Sequence, residues 1–383
     1  MSYRATPPWT RWAASIRAEV NAGFFGLVAG RLDRSARVRL ARLLVVDPVS
    51  RRSEFDRLKD VAKAASLGKF KQRLALLADL DAIGPTGAWL QGVPAGKVAH
   101  FAGEARVTDA ADMRKVGTDK QLTLLAGFVH TVATGGRDDV ATMFCKRIAA
   151  IHKRGRDHLE TLREAHRAES ERLLGVFGEV LAAAREVSAD AALPDGADAG
   201  VPVDERQAAE HAGRLVLKTL EQAGGVEALT AAHEAVSAHH GNTYFPLLDQ
   251  HYRSHRSALF TLVEAVELEA TSADRSVLGA VEFLTALRGA KAALVPEQIV
   301  VERPGPGGEP VPVRLSIDVD AFASLQWRKT VRDPARPGML VRRHLEVCVF
   351  TYLAAELRSG DIAVAGSDSY ASCWTSSPAP PTC

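Results

Sequence analysis

Five histidines stand close together in the chain, His233, His239, His240, His251 and His255. His251 and His255 are four residues apart, so on a continuous helix they would share a face, as two imidazoles binding one zinc ion must. No glutamate follows the first of the pair as a metalloprotease helix requires, and Arg253 and Arg256 would repel a cation. They read as surface histidines, and no metal ligand is assigned. Phosphate-loop chemistry is also missing, because the Pro-Gly-Pro-Gly-Gly run at 304–308 has neither the lysine nor the following helix. No Gly-x-Ser-x-Gly elbow occurs, and no residue set reads as catalytic. The cysteines, Cys145, Cys348, Cys373 and Cys383, form no Cys-x-x-Cys pair. Cys145 and Cys348 fall on apolar helix faces as small buried hydrophobes, which suits a reducing cytoplasm.

Charge is the next source of chemistry. The 383 residues carry a net charge of only +2, so nothing global demands a nucleic-acid partner and any such signal is local. Lys146, Arg147, Lys153, Arg154 and Arg156 are the best local candidates for contacts to DNA phosphates. The competing reading is a solvated helix face, since no aromatics interleave with them. Arg31, Arg34, Arg37, Arg39 and Arg42 crowd another helix and its approach, and read as a solvated face partly paired with acids such as Asp33.

The elements that must position these groups are helical. A hydrophobic fraction of 46% with a charged fraction of 25% is ordinary for a globular chain, and few aromatics beside much Ala, Leu, Glu and Arg favour helix. The expected fold class is mainly α, multi-helix bundle domains with at most a small β-hairpin, ending in a disordered tail. Helical periodicity runs through residues 10–44 with a cap at Asp33 or Ser35, restarts at Ser53, and continues after Ser66. From Asp138-Asp139, read as a cap, the pattern hardly pauses to residue 187, a span of roughly 75 Å if unbroken. Gly155 is a candidate interruption. Residues 196–203 read as a linker between a helical domain at 1–195 and a second at 204–371. That second domain is expected to hold helices at 204–222, 226–238, 244–270 and 272–287, then a hairpin or loop around 299–317. No apolar run reaches membrane length and no signal segment leads the chain, so a cytoplasmic, membrane-free protein is expected.

Residues 341–371, VRRHLEVCVFTYLAAELRSGDIAVAGSDSYA, carry the clearest grammar. Leu345, Cys348, Val349, Tyr352 and Leu353 form one apolar helix face, Gly360 offers a left-handed stop, and residues 362–364 suit a buried strand before a Gly366-Ser367-Asp368 turn. Arg342, Arg343, Glu346, Cys348, Val349 and Phe350, then Glu356 to Asp361, then Gly366, Ser367, Tyr370 and Ala371 resemble a segment of the Tn-3 family of replicative transposases. Leu345 replaces that family's aromatic residue, and a weaker resemblance runs back through most of the chain.

The resemblance implies a part in DNA transposition, with transposon-end DNA as partner and full-length transposase, or self, as another. It also implies Arg342, Arg343 and Arg358 as residues that position DNA or a catalytic domain, against a plain reading as surface charge beside Glu346 and Glu356. The family's two aspartates and glutamate, which hold two magnesium ions on a ribonuclease-H-like sheet, lie beyond the shared segment and have no counterpart here. No cofactor is therefore expected for this chain, and no strand transfer by it alone. After Ala371 the sequence SCWTSSPAPPTC leaves the family pattern, as a shifted reading frame would produce. The chain is expected to be an internal piece of a transposase. The alternative is a non-enzymatic helical scaffold that binds DNA or transposase through residues 138–187.

Overall fold

The computed structural model describes residues 8–60, 67–190, 205–240, 243–304 and 309–371. In chain order the principal helices are α1 (Pro8–Arg31), α2 (Arg34–Arg42), α3 (Glu54–Lys59), α4 (Leu67–Ile83), α5 (Ala95–Val107), α6 (Thr118–Ala165) and α7 (Arg167–Asp190). They continue as α8 (Glu205–Gln222), α9 (Val226–His240), α10 (Arg256–Glu264), α11 (Ser276–Ala286), α12 (Leu325–Val331) and α13 (Arg342–Ser359). Four of the short strands are β1 (Leu268–Ala270), β2 (Gln298–Pro304), β3 (Pro310–Ser316) and β4 (Ile362–Val364). The described residues are thus mainly helical with short antiparallel pairs, the expected fold class. The tail at 372–383 and the linker at 196–203 lie outside the described residues, as does the start at Ser66.

Several starts and stops follow from local chemistry. The Asp33 carboxylate accepts from the Ala36 N–H at the head of α2, and Ser53 accepts from Asp56 N at the head of α3. Gly224 and Gly225, both at positive φ, end α8, and Gly360, at φ 85°, ends α13.

The chain divides into two compact units, one of residues 1–148, 255–323 and 348–383, the other of 149–254 and 324–347. In the first, α6 is the spine. Leu122, Leu125, Phe128 and Val129 are buried along it, with Phe128 edge-on to Phe55 at 5.1 Å. Helix α5 packs beside Gly127, where a Cβ would lie in ordinary contact, 3.5 Å from the Val98 carbonyl oxygen. Further along, Phe350 of α13 packs edge-on against Phe144 at 5.6 Å and Phe260 at 5.1 Å. Strand β4 pairs antiparallel with β1, Leu268 opposite Val364 and Ala270 opposite Ile362, and β2 and β3 form a hairpin with Val301 opposite Val313.

In the second unit, Phe245 stacks on buried Trp327 with ring centres 4.0 Å apart, and His152 stands edge-on to Trp327 at 6.2 Å. Helices α8 and α9 pack on α7.

Three sequence expectations are corrected. Asp138 and Asp139 start no helix, because α6 runs through them from Thr118 to Ala165, and their carboxylates are used sideways, Asp139 by Arg73. Gly155 does not break α6 either. A Cβ there would come within 2.6 Å of Leu248 Cδ2 and 3.0 Å of Tyr244 Cδ2, so the glycine admits a close neighbour; the break falls at His166 instead. The helix expected over 244–270 is a 3-10 turn, a short helix Leu248–Tyr252, α10 and β1. The backbone of 268–270 gains more from the β4 ladder than from continuing a helix.

Candidate functional site

The segment 341–371 is the candidate site, and each of its polar positions has a physical role. At the start of α13, in the second unit, Arg342 donates from Nη1 to Glu346 Oε1 at 3.2 Å, one helical turn on. The Tyr252 hydroxyl donates to Glu346 Oε2 at 2.8 Å. All three are buried, Glu346 and Tyr252 completely. A buried charge survives only when paired and hydrogen-bonded, so this triad holds the helix rather than offering a cation to a ligand. Arg343 bridges both oxygens of Asp249 at 3.2 Å, and Arg253 also reaches Asp249 at 2.7 Å. Burial works against ionisation of Asp249, but the Arg253 and Arg343 guanidiniums more than offset it and hold the carboxyl below its usual range. His344 completes the turn, its Nδ1 lying 3.1 Å from the Thr330 carbonyl.

At the other end of the segment, in the first unit, the chain turns after β4 and docks on α6. The Asp138 carboxylate is cradled by four donors. Asp368 N at 3.1 Å, Ser369 N at 3.0 Å, Ser369 Oγ at 3.1 Å and the Ser367 hydroxyl all point to it. Ser367 Oγ in turn accepts from Tyr370 N at 3.0 Å, and the Tyr370 hydroxyl meets Thr142 Oγ1 at 3.2 Å. Gly366 sits at φ 70° with the Arg137 guanidinium against it, where a Cβ would be 3.4 Å from Nη1. The positive φ favours glycine there.

Beside this turn lies an open polar cavity of about 500 Å³, lined by Asp81, Thr86, His130, Arg137, Glu267 and Gly366 among others. Thr86 Oγ1 lies 3.2 Å from His130 Nδ1. Burial pushes the His130 imidazole below its ordinary pKa, Asp368 opposing and Arg137 assisting, so the ring is held neutral. Arg137 is ion-paired with Asp81. Such a lining can hydrogen-bond and position a polar group.

The remaining basic candidates lie on α6. Lys146 is exposed, while Arg147 is half-buried with Nη1 3.2 Å from His255 Nδ1, and burial lowers its pKa. Lys153, Arg154 and Arg156 are exposed, and Arg156 lies over the Tyr244 ring at 5.6 Å. Arg358 is exposed, its Nε donating to the Ala354 carbonyl at 2.8 Å. Arg342 and Arg343 are thus committed to carboxylates, those of Glu346 and Asp249.

His251 and His255 do not share a helix face, because helix Leu248–Tyr252 ends before α10 begins at Arg256. The His251 ring packs edge-on to His158 at 5.4 Å, and burial, with His158 and Arg154 nearby, lowers its pKa. Among the described residues no group of three His, Cys, Asp or Glu side chains is placed to hold a metal ion. The closest acidic grouping is Glu356 with Asp274 and Asp361. Burial first, then those two charges, pushes the Glu356 carboxyl up to about 7, while Asp361 Oδ2 accepts from Ser359 Oγ at 2.5 Å. These three carboxylates are not placed to hold a metal ion.

Asp138, Asp249 and Tyr252 were not singled out from sequence as partners of the segment. Asp138 is 229 residues from Ser367, so no local pattern joins them. The one available signal was an acidic pair in the middle of an apolar-periodic stretch, which reads equally well as a cap.

The described residues form a mainly α protein of two compact units, and none of the described helices is long and apolar enough to cross a membrane. No family model matches the chain, and no curated protein matches it.

Proposed function

We propose that this chain is part of a Tn-3-type transposase and serves DNA transposition as a nucleic-acid-facing helical scaffold. The observation that carries the reading is the resemblance of residues 342–371, and the side-chain roles along that segment support it. Arg342, Glu346, Gly366, Ser367 and Tyr370, which carry the resemblance, each make a specific contact or accommodate one. A chance likeness would fall on solvated positions as readily as on these.

Contact with transposon-end DNA falls to the exposed cations of α6, Lys146, Lys153, Arg154 and Arg156, together with Arg358. Their chemistry is phosphate neutralisation without base readout, so binding should be salt-sensitive and weakly selective. Strand transfer is not expected of this chain alone, because the family's three carboxylates have no counterpart among its residues. Cytoplasmic residence follows from the same reading.

The test is binding of the purified chain to terminal-repeat and scrambled duplexes at two salt concentrations, with a strand-transfer assay in magnesium alongside. Salt-sensitive binding without strand transfer is expected. No binding at low salt, or joining of strands, would overturn the proposal. The second reading, a scaffold that binds another transposase copy through residues 138–187, is favoured by the exposed Leu174 and Phe177 of α7.

A further inference from the structure

Helix α7 is amphipathic twice over. Leu173, Val176 and Val180 are half-buried and, with Leu220 and Leu229, line an open cleft of about 560 Å³. A second apolar stripe faces water, with Leu174 70%, Phe177 60% and Leu181 43% exposed. At 100° per residue these three lie within one narrow face, and Glu171, Gly178 and Arg185 fall on its flank. Nothing lies within 4 Å of where a Gly178 Cβ would be, so the backbone is bare there.

We infer that α7 pairs antiparallel with α7 of a second copy of this chain, with Gly178 at the two-fold axis. The apolar stripe itself can pair in either direction, and the flanking charges choose between them. Setting Gly178 against its own copy brings Phe177 beside the partner's Leu181, and Leu181 beside the partner's Phe177. The same register sets Glu171 against the partner's Arg185 on both flanks, the positions where charges select orientation in paired helices. A parallel pair leaves Arg185 without a carboxylate. Gly178, on the flank between Glu171 and Arg185, adds no side chain to obstruct those charges from meeting their partners. Among the described residues Glu171 pairs with Arg167, at 3.4 Å between side chains 68% and 78% exposed, a contact weak enough to be exchanged. The surface goes beyond the nucleic-acid reading and stands or falls separately from it.

Sedimentation of the whole chain across a concentration series tests the pairing. A dimer is expected. Glu171→Arg or Arg185→Glu alone should raise its dissociation constant about tenfold, by replacing two attractions with two repulsions. The double variant E171R/R185E should restore it, and circular dichroism should show all three equally helical. Cross-linking fixes direction. In a background carrying Cys373→Ser and Cys383→Ser, with Cys145 and Cys348 buried, oxidation should join Gly178→Cys to its copy and leave Leu174→Cys unjoined. A monomer at every concentration, a dimer indifferent to charge reversal, or cross-linking through position 174 overturns the inference.

Discussion

The two ends of the segment 342–370 solve one problem, the anchoring of a carboxylate, in opposite ways. At the start of α13 the carboxylate belongs to the segment. Glu346 is wholly buried and is satisfied by side chains, Arg342 and Tyr252. After β4 the carboxylate belongs to α6. Asp138 is satisfied by the segment's backbone N–H groups and hydroxyls at a site open to water. The first arrangement is costly to disturb, because losing one partner strands a charge in a medium that cannot solvate it. The second tolerates disturbance, because water can replace the lost acceptor. One short segment thus contains a rigid clamp and a releasable latch.

The largest effect should come from the clamp. Glu346→Gln removes the buried negative charge that Arg342 and Tyr252 bind and should cost about 3 kcal/mol in urea unfolding. A loss below 1 kcal/mol would put the pair in the class of surface bridges and end the contrast. Asp138→Ala should cost less, about 2 kcal/mol, and its mark should be local. Amide exchange at 368 and 369 should accelerate while the core of α6 keeps its protection. Tyr252→Phe removes one hydrogen bond to a charged group and should cost about 1.5 kcal/mol, measured in the same unfolding series.

Smaller still is the acidic grouping near the end of α13. Glu356 has its carboxyl raised from 4.5 to about 7, so the folded chain holds a proton there that the unfolded chain releases. Stability from this group is full below 4.5 and is lost as pH rises to 7. Glu356→Gln should therefore raise the melting temperature at pH 8, leave it unchanged at pH 4, and flatten the profile between. A uniform shift at both pH values would refute the assignment to this carboxyl. On α6, outside the segment, Lys153→Ala should leave stability unchanged and reduce the slope of log binding against log salt by about 1.

Local chemistry was readable from the residues wherever one element supplied both partners. The Asp33 and Ser53 caps, the Gly360 stop, the strand at 362–364 and the Gly366 turn all follow from neighbours a few residues apart. The candidate site was half legible. Arg342 with Glu346 is a four-residue spacing on a helix, but its burial under Tyr252, 94 residues upstream, is not a local property. The same limit explains Asp138-Asp139, whose carboxylates look like a cap until the turn at 366–370 and Arg73 are seen to occupy them. It explains Gly155 too, a helix breaker by composition that serves as a contact surface for Leu248 and Tyr244.

The sequence by itself determined the helical class, the ends of several helices and the grammar of residues 341–371, because propensity, capping and periodicity act over a turn or two of chain. Only the tertiary structure decided which cations are committed to buried carboxylates and which face water, which acids anchor a distant turn, and that 268–270 leaves the helical pattern to pair with β4. Those outcomes depend on which groups, dozens to hundreds of residues apart, must be satisfied once water is excluded, and no local pattern in a single chain encodes that pairing.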